Sequence, residues 1–180
     1  GAGSYNFTDA TLTLGGSYTQ SNGSVTFPTG TTTIGSAFNV TSGTFNSNGS
    51  PFVFNGSGAG NTVRFNNSIV SSLTFSGTGS WNMTDTNATT TGSVLVTSGG
   101  LTLPSGNFAV GRNFVKRAGS VTHNTSDLIM TATSSALFTA SSSDMYSVNF
   151  IGSGSFTITD PNITFLDSFT IASGSVVMAT

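Results

Sequence analysis

Few residues of this chain can do chemistry, and its six aspartates are the most prominent of them. Polysaccharide cleavage requires clustered carboxylates, either as an acid/base pair or as metal ligands beside a basic residue. Asp85 and Asp160 lie at matching positions of a repeat, each preceded by a threonine, which favours a turn role in which the side chain bonds its own backbone. We therefore expect no enzyme, with a polysaccharide-active enzyme as the minor alternative. The aspartates are Asp9, Asp85, Asp127, Asp144, Asp160 and Asp167.

A single basic cluster lies in the second half of the chain, formed by Arg112, Lys116, Arg117 and His123. These residues are candidate contacts to another subunit or to an acidic partner, such as Asp127 or an aspartate of a neighbouring copy. The alternative interpretation is a solvated face, or edge charges that discourage unwanted strand pairing. One histidine without any cysteine does not make a metal site, so we expect no metal and no cofactor.

Ten asparagines are followed two positions later by serine or threonine, without an intervening proline. This is the acceptor pattern for N-glycosylation, although a chain so rich in serine and threonine forms many such triplets by chance. The candidate glycosylation residues are Asn6, Asn22, Asn39, Asn48, Asn55, Asn66, Asn82, Asn87, Asn124 and Asn162.

The composition predicts a folded, all-β, extracellular protein. Charged residues are 6% of the chain and glutamate is absent, but hydrophobic residues are 36% and include 15 phenylalanines, which are costly to leave in water. Serine, threonine, asparagine and glycine disfavour helix interiors, whereas short runs of threonine, valine, isoleucine and phenylalanine favour strands. A net charge of −2 disfavours nucleic-acid binding, and no apolar run is long enough for membrane insertion.

The chain repeats one pattern every twenty residues near its start. Leu14-Gly15, the aromatic Tyr18 and, five residues after it, Gly23 return twenty residues later as Ile34-Gly35, Phe38 and Gly43. Dipeptides such as Asn48-Gly49 predict turns with a positive φ. A period of twenty is typical of solenoids, in which one unit cannot bury its apolar face alone.

A longer repeat of 75–76 residues also runs through the sequence. Ile34 returns as Val110, Phe38 as Phe114, and Trp81 as Phe156. We interpret the chain as one β-solenoid domain over 1–180, with a leading segment 1–13 and modules at 14–89, 90–164 and, incomplete, 165–180. Each complete module would hold four rungs of about nineteen residues, giving about nine rungs of 19–20 residues in all.

These repeats predict a parallel β-helix, with an ordinary β-sandwich as the alternative. Stacked rungs bury a continuous core and pair the backbone of each strand with that of the next coil. Neither end carries a helix or a charged outer rung that would cap it, so we expect either a piece of a longer protein or open strand edges that meet other subunits.

Three segments, 101–111, 119–124 and 148–158, resemble the repeat regions of very large secreted bacterial surface proteins. Those proteins belong to the adhesin and autotransporter-passenger-like class of β-solenoids. The resemblance implies export, a rod-like β-helix and a structural or adhesive role. The absence of glutamate and of acidic nonapeptides sets this chain apart from calcium-folded secretion repeats.

The sequence thus leads to a structural expectation. We expect an extracellular or cell-surface protein that is a subunit or segment of a filament, sheath or adhesin stalk. Its partner would be itself, as a homopolymer joined end to end or edge to edge. The alternative is an adhesin module that binds glycans or a host surface.

Overall fold

The computed structural model describes residues 3–178, and every regular element in this range is a β-strand. Consequently no helix in this range is long enough to cross a membrane. Residues 1–2 and 179–180, at the ends of the predicted leading segment and third module, lie outside the described residues. The strands are β1 (Ser4–Asn6), β2 (Leu12–Leu14), β3 (Tyr18–Gln20), β4 (Ser24–Thr26), β5 (Thr32–Ile34), β6 (Phe38–Val40), β7 (Thr44–Asn46), β8 (Phe52–Phe54), β9 (Asn61–Arg64), β10 (Leu73–Phe75), β11 (Ser80–Met83), β12 (Ala88–Thr90), β13 (Val94–Val96), β14 (Gly100–Thr102), β15 (Asn107–Val110), β16 (Phe114–Lys116), β17 (Ser120–Thr122), β18 (Asp127–Met130), β19 (Ala136–Thr139), β20 (Met145–Phe150), β21 (Ser155–Ile158), β22 (Phe165–Ile171) and β23 (Ser175–Met178).

The strands wind into a coil with three faces, and the strand pairs are parallel. The long face has nine strands, in the order β2-β5-β8-β10-β13-β16-β19-β21-β23, and the second face has six, β3-β6-β9-β11-β14-β17. The third face begins as β1-β4-β7 and, after the irregular segment 65–70, continues as β12-β15-β18-β20-β22. The prediction of a parallel β-solenoid of about nine rungs is confirmed, and the β-sandwich alternative is wrong.

The register gives rungs slightly longer than predicted. Paired residues are usually 20 or 21 positions apart, as in Leu12 with Thr32 and Phe52 with Leu73, and the separation reaches 25 between Phe38 and Val63. Strands of the second face are absent from the seventh and eighth rungs of the described range, where the third-face strands β20 and β22 lengthen to six and seven residues.

The 76-residue repeat does not correspond to a whole number of rungs. Ile34 lies on the long face whereas Val110 lies on the third face, and Phe38 lies on the second face whereas Phe114 lies on the long face. All three faces carry the same apolar–polar–apolar triplet joined by short corners. When the sequence is aligned with itself, a shift by one face therefore gives as good a match as a shift by one whole rung. The 76-residue repeat includes such a shift of face, which corrects the expected module of four nineteen-residue rungs.

From β4 to β21 the interior is filled by alternate residues of the strands, which point inward and are buried. Phenylalanines predominate in the first four rungs, where Phe54 and Phe75 stack with ring centroids 5.0 Å apart and Tyr18 and Phe38 with centroids 4.8 Å apart. Burying each such ring is worth roughly 1.5–3 kcal/mol. Trp81 is also in the core, as its match with Phe156 indicates.

Glycines at the corners after the long-face strands β5, β8 and β10 permit the close stacking of successive rungs. A Cβ on Gly35 would lie 2.4 Å from the carbonyl oxygen of Gly15, and a Cβ on Gly56 would lie 1.9 Å from that of Gly35. The glycine after Ile34 is therefore a steric requirement of the corner, whereas a Cβ on Gly15, in the first rung, would meet no atom within 4 Å. Elsewhere Gly49 has a φ of 76°, as its turn dipeptide predicts.

Candidate assembly surfaces

Asp85 and Asp160 are buried at corners, where each caps the preceding rung. An oxygen of Asp85 accepts a hydrogen bond of 2.6 Å from the backbone N–H of Phe65, and Asp160 accepts from the N–H groups of Ala140 and Ser141 at 2.6 and 2.7 Å. Both aspartates lie at corners between strands, as predicted. The expected hydrogen bond to each aspartate's own backbone is wrong, because the partners lie in the preceding rung. The hydrogen-bonded strand ladder ends at these corners, so the N–H groups of the preceding rung no longer meet a backbone carbonyl of the next rung. The aspartate carboxylate of the next rung accepts their hydrogen bonds instead.

The other aspartates are more accessible. Asp167 accepts a hydrogen bond of 3.0 Å from the Ser147 hydroxyl, Asp9 and Asp144 are exposed, and Asp127 is half-buried. Residues 3–178 contain no group of three or more histidine, aspartate or similar side chains arranged to hold a metal ion.

The four predicted basic contact residues do not come together at one place. Arg112, Arg117 and His123 lie at three successive corners of the sixth rung, the first two exposed and His123 half-buried. The His123 ring stacks on Tyr146 with centroids 5.9 Å apart, and its Nδ1 accepts from the N–H of Thr125 at 3.0 Å. A single partner surface made by these residues is therefore not what the fold presents.

Lys116 departs furthest from the predicted surface role, because it points into the core. It occupies an inward position of β16 and is 8% exposed. Its ammonium group donates to the carbonyl oxygen of Ser141 at 2.7 Å, while the Ser141 hydroxyl donates to the carbonyl of Lys116 at 2.7 Å. Because the N–H of Ser141 also donates to Asp160, this polar network joins the sixth, seventh and eighth rungs at the corner where the second face ends.

Substituting Lys116 separates its packing role from its charge. Lys116→Met keeps the buried stem and removes the cost of burying a charge, so we expect the free energy of unfolding to change by less than about 1 kcal/mol. Lys116→Ala leaves a cavity and should lower it by about 2–4 kcal/mol. Denaturant unfolding measures both, with exposed Arg117→Ala as the control. Equal, small effects of both Lys116 variants would contradict a core role.

The candidate glycosylation residues divide into structural and accessible groups. Asn48 and Asn124 have positive φ values of 52° and 48°, and their side-chain amides donate to the carbonyl oxygens of Phe27 and Leu103 in the preceding rung, each at 3.1 Å. These two side-chain amides therefore bond a corner of one rung to the backbone of the preceding rung. The remaining candidates lie on β1, on the outer second face or at corners: Asn6, Asn22, Asn39, Asn55, Asn66, Asn82, Asn87 and Asn162.

The structural asparagines give a stability prediction. Asn124→Ala removes the hydrogen bond between rungs and places alanine at a positive φ, so we expect a loss of about 1–2 kcal/mol in the free energy of unfolding. Asn124→Gly should recover the backbone part of that loss. Asn55→Ala, at an exposed corner, is the matched control. Thermal and denaturant unfolding measure the series, and a neutral Asn124→Ala would refute the corner role.

A polar row follows the outside of the second face. The pairing aligns Thr19 with Asn39, and the hydroxyl of Thr62 donates to the side-chain oxygen of Asn39 at 2.9 Å. Beyond Thr62 the row continues through residues that pair in register, Asn82, Thr102 and Thr122. This outer row presents hydroxyls and amides with little charge.

Apolar side chains at inward positions are left uncovered at both ends of the described coil. The first-rung surface comprises Tyr5, Phe7, Leu12, Leu14 and Tyr18, and the last-rung surface comprises Phe169, Ile171, Val176 and Met178.

A cavity of about 420 Å³ opens at the first-rung surface, between β1 and β3. Within it the Tyr18 hydroxyl donates to the side-chain oxygen of Gln20 at 3.0 Å, and burial raises the pKa of Tyr18 to about 12. The Gln20 amide nitrogen in turn donates to the carbonyl of Thr44 at 3.0 Å. The Tyr18 hydroxyl and the Gln20 amide are thus bonded to the protein itself.

No protein-family model matches the sequence, and no curated protein and no solved structure is significantly similar to it. The resemblance to secreted surface proteins therefore remains a prediction from the residues.

Proposed function

We propose that this chain is a structural β-solenoid rod, a subunit or segment of an extracellular filament, sheath or adhesin stalk. The observation that carries the proposal is the single apolar core, which continues through the stacked rungs of the described coil. Each rung is bonded to the next by backbone ladders along its faces. Such a body extends along one axis and transmits force through many parallel hydrogen bonds.

The distribution of charge supports the same proposal. The buried carboxylates of Asp85 and Asp160 bond backbone amides, and Lys116 bonds a backbone carbonyl. Charged groups at the core thus connect rungs. With charged residues at 6% of the chain, cohesion of the rod should depend little on salt.

Electron microscopy of the native material tests this function. Antibodies raised against the 180-residue chain should label fibres, sheaths or stalks outside the cell. Extraction in about 1 M salt, where the Debye length is only about 3 Å, should leave the labelled structures intact. Label confined to the cell interior, or to dispersed single molecules, would refute the proposal.

The second candidate is glycan or surface binding, favoured by the outer polar row of the second face. Thr102 and Asn82 lie in register near its centre. An array of bacterial and host glycans would reveal such binding, and Thr102→Val should weaken it without unfolding the chain. Absence of binding across the array would dismiss this candidate and leave the structural one.

A further inference from the structure

The outward side chains of the long face differ from those of the second face. On the second face, outward positions carry polar side chains, as Asn82 and Thr102 do. On the long face, apolar side chains occupy several successive outward positions, and Val53, Leu95 and Val115 lie there half-buried between buried neighbours. The long face therefore presents apolar groups to solvent where the second face presents hydroxyls and amides.

These outward residues form a row through the interior of the coil, from the second to the seventh rung. Leu137, which is 44% exposed, lies beside the row at the neighbouring outward position of β19. The long face is also the one without a break over these rungs, because the third face is interrupted at 65–70 and the second face ends at β17. The long-face stripe comprises Leu137 and the in-register residues Thr33, Val53, Thr74, Leu95, Val115 and Thr139.

The long-face stripe, all of it within the described residues, contains no charged side chain. Lys116 is adjacent in sequence to Val115 but points inward. Arg112 and Arg117 flank Val115 at the two corners of the sixth rung. A partner for this stripe must therefore be uncharged along its middle and must not bring further positive charge to the sixth rung.

From this we propose that two copies of the chain pack side by side through their long-face stripes, in opposite directions about a two-fold axis at Leu95. This inference rests on the proposed structural function and names a lateral contact between rods. Sheets that pack face to face lie about 10 Å apart. An axis along the strand of Leu95 places the sixth rung of one copy opposite the fourth rung of the other, and the seventh opposite the third.

The side chains that would meet in this arrangement are complementary. Leu95 meets Leu95 of the second copy, and Val115 lies opposite Thr74. Leu137 of the seventh rung lies opposite Pro51, which is half-buried at the corresponding outward position of the third rung. The contact therefore buries the most exposed apolar side chain of the stripe against a second apolar side chain.

The charges at the sixth rung select the antiparallel direction. If the two copies ran in the same direction in register, Arg112 and Arg117 of both copies would meet, and like charges across an interface disfavour association. In the antiparallel arrangement these arginines face the fourth rung, whose corners carry the uncharged residues Ser72 and Ser76. The second copy thus satisfies the charge requirement of the stripe in one direction only.

The area of the face is sufficient for a second copy. Seven rungs, the second to the eighth, span about 34 Å, and a face about five residues wide measures about 16 Å. The two copies would together bury roughly 1,100 Å², which is just above the lower limit for a specific interface of about 1,000 Å². We therefore expect a reversible dimer.

Opposite charges at position 95 test the contact, because the two-fold axis brings this position together with itself. Leu95→Lys or Leu95→Glu alone puts two like charges at the centre and should raise the dissociation constant of the dimer at least about 100-fold. An equimolar mixture of the two variants should restore association as a mixed dimer. Asn82→Lys and Asn82→Glu, on the outer second face, are the matched controls and should associate like the unmodified chain. Sedimentation velocity measures each sample.

Recovery of the dimer in the mixture would support the antiparallel contact and would show that both variants fold. Three results would overturn it: an unmodified chain that stays monomeric at all concentrations up to about 1 mM, a dimer that Leu95→Lys leaves intact, or a mixture that stays monomeric. Antibody labelling of the native material decides the structural function independently, so failure of this contact leaves that function in place.

Discussion

Replacing Asp160 by alanine should be among the most damaging single changes to this fold. Asp160 is 3% exposed and accepts hydrogen bonds from the N–H groups of Ala140 and Ser141. Its loss leaves those donors without a partner at a buried corner and removes one end of the network through Lys116. We expect the free energy of unfolding to fall by about 2–4 kcal/mol.

The comparison variants make this prediction specific. Asp160→Asn keeps one acceptor oxygen and should lose about half as much stability as alanine. Asp144→Ala changes an exposed aspartate in the same part of the chain and should be neutral within about 0.5 kcal/mol. Denaturant unfolding at 25 °C measures the series. If Asp160→Ala were as mild as Asp144→Ala, the capping role would be wrong.

Gly77→Ala should be equally or more harmful, for a steric reason. The added Cβ would lie 2.0 Å from the carbonyl oxygen of Gly56 and 2.4 Å from the carbonyl carbon of Asn55. Both atoms belong to the backbone of the preceding rung, so relief requires the rungs to separate at this corner. We expect a loss on the order of 4 kcal/mol, or failure to fold.

Two further glycines isolate the causes of that loss. A Cβ on Gly16 meets no atom within 4 Å, so Gly16→Ala should be nearly neutral. Gly49 is equally open but has a φ of 76°, so Gly49→Ala should lose about 1–2 kcal/mol through backbone strain alone. The same unfolding measurement ranks the three variants, and a Gly77→Ala variant as stable as Gly16→Ala would refute close rung stacking.

The architecture could be predicted because its causes are local and repeated. The alternation around Leu14 and Ile34 defines inward and outward positions, and the glycine that follows Ile34 is required by the backbone of the preceding rung. The 76-residue repeat was misleading for the same reason. Ile34 and Val110 satisfy one local pattern on different faces, and sequence similarity does not record which face a triplet occupies.

The roles of the polar residues were less predictable. The repetition of Asp85 and Asp160 indicated a structural role, but their hydrogen-bond partners lie in the preceding rung and depend on how the corners stack. Lys116 was assigned to the surface because lysine is rarely buried. Side chains two residues apart in a strand lie on the same face, so Lys116 points inward with the buried Phe114. The alternation that indicates this position is present in the sequence.

Fibre diffraction from aligned fibres of the native material tests the central claim of stacked rungs most directly. We predict a meridional reflection near 4.8 Å, which comes from the spacing of strands that lie across the fibre axis. The absence of this reflection, or strands running along the fibre axis, would contradict the account.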